Sequence, residues 1–197
     1  RRPPRSKLFP YTKLFHLLKD YSVPDYLIDT VELHFNLDDE QTHVLSRLTL
    51  QRNPQSQTGG TALVLTGEKL RLLGVVLNDE QALTENDYQL TDEALIIHAV
   101  PQQRPFVLTI ETAISPKSNT ALEGLFLSNN MLCTQCEAEG FRKITYFLDR
   151  PDVMAKFTTT VTGDKDRFPV LLSNGNPIAN GEGDDNSHWV TWEDPFR

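Results

Sequence analysis

Apolar and polar residues alternate along short stretches over most of this chain. Val31, Leu33 and Phe35 alternate with polar neighbours, which is the two-residue period of a strand with one buried face. A polar turn over residues 38–41 follows, and a partner strand is predicted over 42–52. The same kind of segment recurs to the end of the chain, so the pattern predicts many short strands joined by turns.

The remaining strands are predicted at 62–65, 69–77, 88–90, 94–98, 105–114, 125–127, 131–137, 156–162, 170–172, 178–182 and 188–192. Segments 170–172 and 178–182 are expected to pair as a hairpin around Asn174 and Gly175. One helical turn is indicated, between Asp149 and Ala155. We therefore predict an all-β domain of several packed antiparallel sheets, a sandwich or saddle, with almost no helix.

Composition limits the partners that this domain can have. A chain of 197 residues is long enough for one domain with a substantial core. The net charge of −8 argues against a nucleic-acid surface, which needs clustered Lys and Arg. No stretch approaches the roughly 18 apolar residues of a membrane-spanning helix. We therefore expect a globular domain that binds no nucleic acid and has no membrane span.

The first residues differ from the rest in charge. The chain begins with Arg1 rather than Met, so we expect it to be processed or cut from something longer. Residues 1–18 form a basic leader, which we interpret either as disordered or as the remnant of an organelle transit segment, since such segments are rich in Arg and poor in acid. The β domain itself is predicted over 19–197.

Two cysteines, Cys133 and Cys136, form a C-x-x-C motif. A structural zinc site needs four ligands, and no second pair follows. Residues three apart on a strand point to opposite faces, which is poor geometry for a disulfide. We expect two free thiols and an intracellular, reducing compartment, cytoplasmic or organellar. A thiol-disulfide function is the alternative, and it would require a lowered thiol pKa.

Residues 133–139 hold the densest group of unusual side chains: two thiols, an amide and two carboxylates. Gln135 and Glu137 are two apart on a predicted strand, so both side chains should lie on one face. On spacing alone, a solvated strand face is the better explanation of such a pair. Glu139 shares that spacing, but the adjacent Gly140 indicates that the strand is ending there.

A second polar group follows this stretch. Asp149, Arg150 and Asp152 are expected to form an ion-pair cluster that fixes a loop. We interpret such a cluster as structural rather than functional.

Two long motifs, QCEAEGFR at 135–142 and ITYFLDRPDVMAKF at 144–157, closely resemble the N-terminal domain of bacterial-type aminopeptidase N. These proteins are zinc aminopeptidases of the alanyl aminopeptidase family. Shorter motifs agree with the same family: KDY at 19–21, PDY at 24–26, NTALEGL at 119–125, FPVLLSNGN at 168–176, HWV at 188–190 and DPF at 194–196. The resemblance covers residue 19 to the end and implies a β-saddle fold.

The resemblance also implies a substrate-binding role. In that family a Gln lines the pocket for the first residue of the peptide and a Glu helps to bind its α-amine. The matching residues in this chain are Gln135 and Glu137. An amide oxygen and a carboxylate are suitable acceptors for an ammonium group with three donors. We therefore predict that this domain recognises peptide N-termini.

The motifs of the catalytic centre are absent. A zinc aminopeptidase needs H-E-x-x-H and a further Glu ligand. No two of the histidines are four apart and none precedes Glu, whether His16, His34, His43, His98 or His188. The G-x-M-E-N strand of the family is absent too. We predict no catalytic residue and no metal ligand here, with zinc in the full-length enzyme and the catalytic domain of the same polypeptide as partner. The alternative is a stand-alone, non-catalytic β module that binds peptides or proteins.

Overall fold

The computed structural model describes residues 21–196, and the leader predicted over 1–18 lies outside the described residues. The described residues form thirteen strands and one short 3₁₀ helix, Phe141–Lys143. In chain order the strands are β1 (Tyr26–Asn36), β2 (Thr42–Arg52), β3 (Leu63–Thr66), β4 (Arg71–Leu77), β5 (Gln81–Ala82), β6 (Tyr88–Leu90), β7 (Ala94–Ile97), β8 (Phe106–Ile114), β9 (Gly124–Ser128), β10 (Met131–Gln135), β11 (Lys156–Asp164), β12 (Asn176–Glu182) and β13 (Ser187–Asp194). Within 21–196, no helix has the length and apolar character to cross a membrane.

The strands make three sheets. The largest has eight strands in the order β12-β13-β11-β1-β2-β8-β4-β5, the next has the order β3-β7-β6, and the smallest is the hairpin β9-β10. The predicted all-β, multi-sheet fold with almost no helix is confirmed. One pairing is parallel, between β1 and β11, where Val31 lies opposite Phe157. Because parallel strands need a long connection, this pairing joins the two ends of the domain across the intervening chain.

The register of β1 and β2 explains how the alternating pattern builds the core. Val31 lies opposite Leu48 and Phe35 lies opposite Val44, so the apolar residues of both strands share one face. All four are buried. Strand β8 continues the same face in the middle of the sheet with three buried side chains, Phe106, Leu108 and Ile110.

The helical turn predicted between Asp149 and Ala155 is wrong. Residues after Pro151 form a turn and then an extended segment, and β11 begins at Lys156. The Val153 N–H donates to the Arg150 carbonyl oxygen over 3.1 Å, so the chain makes one tight turn here and does not continue as a helix, and the helix-start signal of the proline is overridden. The 3₁₀ helix lies earlier, at Phe141–Lys143.

The hairpin predicted from 170–172 and 178–182 is also wrong. Residues 170–172 are not a strand, although Leu171 is buried while Val170 and Leu172 are exposed. Strand β12 pairs instead with β13, through a turn closed by a hydrogen bond from the Ser187 backbone N–H to the Asp184 carbonyl oxygen. A tight turn brings β12 and β13 together at small entropic cost. The alternation at 170–172 reflects the burial of one side chain, Leu171, and not the hydrogen bonding of a strand.

The small sheet positions the candidate site. Strands β9 and β10 are joined by Asn129 (φ 46°) and Asn130 (φ 66°), both in the left-handed region. Two such residues in succession are typical of the tight hairpin turn whose twist matches that of the strands, and Asn tolerates this conformation. The hairpin therefore carries β10 directly into the polar stretch that follows it.

Candidate functional site

Strand β10 ends at Gln135, two residues earlier than predicted. Glu137 therefore lies beyond the strand, and the prediction that strand spacing places Gln135 and Glu137 on one face is wrong. The peptide bond between Glu137 and Ala138 is cis. The physical reason for the early end is that the chain folds back: a Cβ on Gly140 would lie 2.9 Å from the Gln135 carbonyl oxygen. That close backbone approach leaves no room for a continued ladder.

A different contact brings Gln135 and Glu137 together. The side-chain Nε2 of Gln135 donates a hydrogen bond of 3.1 Å to the backbone carbonyl oxygen of Glu137. Both residues are exposed. Among residues 21–196, no hydrogen bond or ion pair engages the Glu137 carboxylate. The Glu137 carboxylate is therefore uncommitted, and the Gln135 side chain that holds the Glu137 backbone still has acceptor capacity on its Oε1.

Asp149 anchors the loop that carries Glu137. Its Oδ2 accepts hydrogen bonds from the backbone N–H of Gly140 (3.0 Å), the backbone N–H of Arg142 (3.2 Å) and the Nε of Arg142 (2.6 Å). The carboxylate is buried, with 8% of its surface exposed. A buried carboxylate is tolerated when it is paired and hydrogen-bonded in this way.

The ion-pair cluster predicted for Asp149, Arg150 and Asp152 is half right. Arg150 and Asp152 pair with each other, with 2.6 Å between Nη2 and Oδ2. Asp149 instead pairs with Arg142, which lies seven residues earlier in the chain. The spacing of charges indicated that an ion pair was present, but the fold-back at Gly140 selected the partner.

Arg142 links Asp149 to the exposed side of the loop. Its Nη2 donates to the carbonyl oxygen of Asp149 over 3.1 Å and lies 2.9 Å from the Glu139 Oε2. Glu139 is therefore held by a cation of its own loop, while Glu137 is left without one. The two acidic residues of the motif thus have different roles in the structure.

The buried side of the loop is apolar. Phe141 packs edge-on against Phe147, with 4.8 Å between ring centroids, and against Phe157, with 6.1 Å. Cys136 packs against the same core. Burial raises the pKa of the Cys136 thiol to about 11, and the negative charge of Asp149 adds to the shift. A redox cysteine needs the opposite shift, and both Cys133 and Cys136 are free, so the thiol-disulfide alternative is disfavoured.

Lys143 ties the site to the loop between β3 and β4, a connection that sequence reasoning missed. Its ammonium group lies 2.6 Å from the Glu68 Oε1 and 3.8 Å from the Glu123 Oε2. Lys143 is buried apart from 8% of its surface. Glu68 is remote in sequence, so no local signal could have identified this pair.

No group of three or more His, Cys, Asp or Glu side chains within the described range 21–196 could hold a metal ion. The Glu137 carboxylate and the Gln135 amide oxygen are the hydrogen-bonding groups that the loop offers to a ligand. A free carboxylate and an amide oxygen on a braced loop suit a small cationic group.

Residues 23–197 match the family described as Peptidase M1 N-terminal domain. The chain is 47% identical over 187 residues to Aminopeptidase N of Escherichia coli (strain K12). The aligned region covers 95% of this chain and 20% of that protein. It is 43% identical over 179 residues to Aminopeptidase N of Haemophilus influenzae, covering 90% of this chain and 20% of that protein. The chain thus spans about one fifth of the length of these relatives.

Solved structures agree with the sequence comparison. A crystal structure of Legionella pneumophila aminopeptidase A in complex with aspartic acid is 35% identical, with a TM-score of 0.85, over 91% of this chain and 21% of that one. An M1 zinc metallopeptidase from Deinococcus radiodurans is 16% identical, with a TM-score of 0.71, over 86% of this chain and 39% of that one. At that identity the second likeness concerns the fold alone.

Proposed function

This chain belongs to the Peptidase M1 N-terminal domain family, and on that premise we propose that it is the substrate-recognition domain of a zinc aminopeptidase. In this proposal the domain binds the free N-terminus of a peptide, and a catalytic domain of the same polypeptide removes the first residue. Gln135 and Glu137 are the residues that recognise the amine.

The observation that carries the proposal is the uncommitted carboxylate of Glu137, a residue whose backbone accepts a hydrogen bond from the Gln135 side chain. A peptide α-ammonium group has three donors, which a carboxylate oxygen and an amide Oε1 can accept together. Hydrogen bonds to a charged group contribute about 1.5–3 kcal/mol each. An internal peptide bond has no ammonium group, so this contact favours chain ends and makes the enzyme an exopeptidase.

Zinc, in this proposal, is held by polypeptide outside the described residues, since these contain no suitable ligand group. A bound zinc ion polarises a carbonyl group and activates water for hydrolysis. The contribution of Gln135 and Glu137 is to hold the amine so that the first peptide bond is oriented for attack. The 197-residue chain alone is expected to bind no zinc and to hydrolyse no peptide.

We also propose that the protein works in a reducing, intracellular compartment. Two free cysteines support this, because paired cysteines are the usual state in oxidising compartments. Localisation of the tagged full-length protein by microscopy or fractionation tests it, and recovery outside the cell would contradict it.

The decisive experiment measures hydrolysis of a chromogenic alanyl amide by the full-length protein and its Glu137→Ala variant. Loss of one charge-assisted contact should raise KM by about 10- to 100-fold, with zinc content unchanged. Glu80→Ala is the matched control, since Glu80 is exposed in the turn after β4 and its charge should not matter. An unchanged KM in Glu137→Ala would show that this carboxylate does not bind the amine.

A second measurement separates the proposal from the stand-alone binding module. The 197-residue chain and the full-length protein are assayed side by side for turnover and zinc. Turnover and zinc in the longer protein alone support a recognition domain. Turnover by the short chain would overturn the proposed division of labour, and peptide binding with no active longer product would favour the module.

A further inference from the structure

We propose that Asp149 is a positioning residue for the amine-binding loop, holding it through Arg142 so that the Glu137 carboxylate stays free for the substrate. This inference rests on the proposed function and extends it to a residue that itself makes no contact with the amine.

The first step is geometric. The loop from Cys136 to Arg142 leaves β10 and returns to the strand end, where Gly140 approaches the Gln135 carbonyl oxygen. One oxygen of Asp149 accepts hydrogen bonds from the backbone of Gly140 and from the backbone of Arg142. These two contacts fix the returning half of the loop from the buried side. The exposed half, which carries Glu137, is therefore fixed at one end by β10 and at the other by the contacts with Asp149.

The second step concerns charge. The Arg142 guanidinium lies between two carboxylates, 2.6 Å from Asp149 and 2.9 Å from Glu139. The Asp149 carboxylate pairs with the Arg142 Nε on the buried side of the guanidinium, and this contact orients the planar group. Without the Asp149 charge, as in Asp149→Asn, part of that positive charge would be unpaired within the loop that also carries the second acidic residue, Glu137. A guanidinium is a direct competitor of a substrate ammonium for a carboxylate.

The third step is that this bracing is asymmetric. Glu139 is paired within the loop, and Glu137 is not. Asp149 and Arg142 therefore account for why only one of the two acidic residues remains available. The same pair explains how an exposed loop can present a carboxylate in a fixed place, since a buried charge leaves its partner little freedom.

The test uses the full-length protein with Asp149→Asn, which keeps the side-chain shape and removes the charge. Asp152→Asn is the matched control: it makes the same change on a neighbouring aspartate that pairs with Arg150 and not with the loop. KM and kcat are measured on the alanyl amide, and hydrogen–deuterium exchange is measured on the peptide that spans 136–143. Arg142→Lys, which keeps the charge but has fewer donors, is the second variant.

In Asp149→Asn we expect KM to rise about tenfold, with kcat changing less, and loop exchange to accelerate about tenfold. In Arg142→Lys both effects should have the same sign and be smaller. Asp152→Asn should change neither. If Asp149→Asn does not fold, as judged by circular dichroism, Arg142→Lys decides the outcome alone.

Three results would overturn the proposal: unchanged KM and exchange in Asp149→Asn, a raised KM with no change in exchange, or faster exchange with no change in KM. Glu137→Ala in the same series separates this from the proposed function. If the KM of Glu137→Ala is unchanged from that of the parent protein, the amine-binding role fails. If Glu137→Ala loses affinity while Asp149→Asn does not, only the positioning role fails.

Discussion

The side-chain amide of Gln135 donates a 3.1 Å hydrogen bond to the backbone carbonyl oxygen of Glu137, although the two residues do not share a strand. The contact runs from the side chain of one proposed substrate residue to the backbone of the other. Gln135 therefore has two possible ways of acting: directly on the substrate, and through the placement of Glu137.

Removal of both side chains should show this dependence. Gln135→Ala and Glu137→Ala are each expected to raise KM for the alanyl amide in the full-length protein. The double variant should lose less binding free energy, calculated from KM, than the sum of the two single losses. The coupling energy should be about 0.5–2 kcal/mol, because residues in contact are not independent. Additive losses would show that Gln135 acts on the substrate without help from its bond to Glu137.

Gly140→Ala should destabilise the loop. An added Cβ would lie 2.9 Å from the Gln135 carbonyl oxygen and 3.1 Å from the Cys136 Cα, both backbone atoms that cannot rotate away. The φ of Gly140 is extended, so the effect comes from space alone. We expect about 1–3 kcal/mol lower stability by urea unfolding of the 197-residue chain.

The matched control for Gly140 is Gly74→Ala in β4. A Cβ at Gly74 meets nothing within 4 Å. Its stability should stay within about 0.5 kcal/mol of the parent chain. Equal losses in the two variants would mean that the close backbone approach at Gly140 is not what limits the site.

Ser46→Ala should leave stability unchanged or raise it by about 0.5–2 kcal/mol. Ser46 lies opposite Leu33 in the core, fully buried, and its hydroxyl has no hydrogen-bond partner among the described residues. Thr112→Val is the comparison, because the buried Thr112 hydroxyl donates to the Ile144 carbonyl oxygen over 3.1 Å. That variant should lose about 1–3 kcal/mol by urea unfolding. A large loss in Ser46→Ala would contradict the first expectation.

Alkylation of Cys136 should depend on pH differently in the folded and unfolded chain. The pKa of this thiol is raised from 9.0 to about 11, chiefly by burial and also by the Asp149 charge. Because the folded value lies above the unfolded one, the thiol's contribution to stability is complete below pH 9 and is lost as the pH rises toward 11.

Iodoacetamide labelling of the Cys136 peptide, followed by mass spectrometry, checks this directly. In guanidinium the rate should rise through pH 9, and in the folded chain it should rise only as the pH approaches 11. A folded-state rate that levels off near pH 9 would contradict the burial described for this side chain.

Much of the fold could be predicted from local pattern. Strand β2 has the predicted bounds, Thr42–Arg52, because Val44, Leu48 and Leu50 keep a two-residue period between two polar turns, with Ser46 as the one polar residue between them on that face. The sequence predicts part of strand β12 but assigns it the wrong partner, 170–172 instead of β13. The short alternation at 170–172 resembles a strand as closely as β13 does. Alternation reports which side chains are buried, and it does not report which backbone is hydrogen-bonded to which.

The candidate site shows the same division. Motif resemblance predicts Gln135 and Glu137 as substrate-binding residues, and that role stays a prediction. The spacing argument that placed them on one strand face is wrong, because the strand ends at Gln135 and a hydrogen bond from the Gln135 side chain to the Glu137 backbone takes its place. The partner of Asp149 was also misassigned. Its pairing with Arg142 depends on a fold-back at Gly140 that spacing does not reveal.

By itself, the sequence determined the all-β class, the alternation of the β1–β2 pair and the position of the polar stretch after β10, because each depends on neighbours a few residues apart. Only the tertiary structure decided the parallel pairing of β1 with β11, the end of β10 and the Asp149–Arg142 contact. These depend on which distant segments meet, and burial of a charge or closure of a sheet selects among partners that the local sequence leaves equivalent.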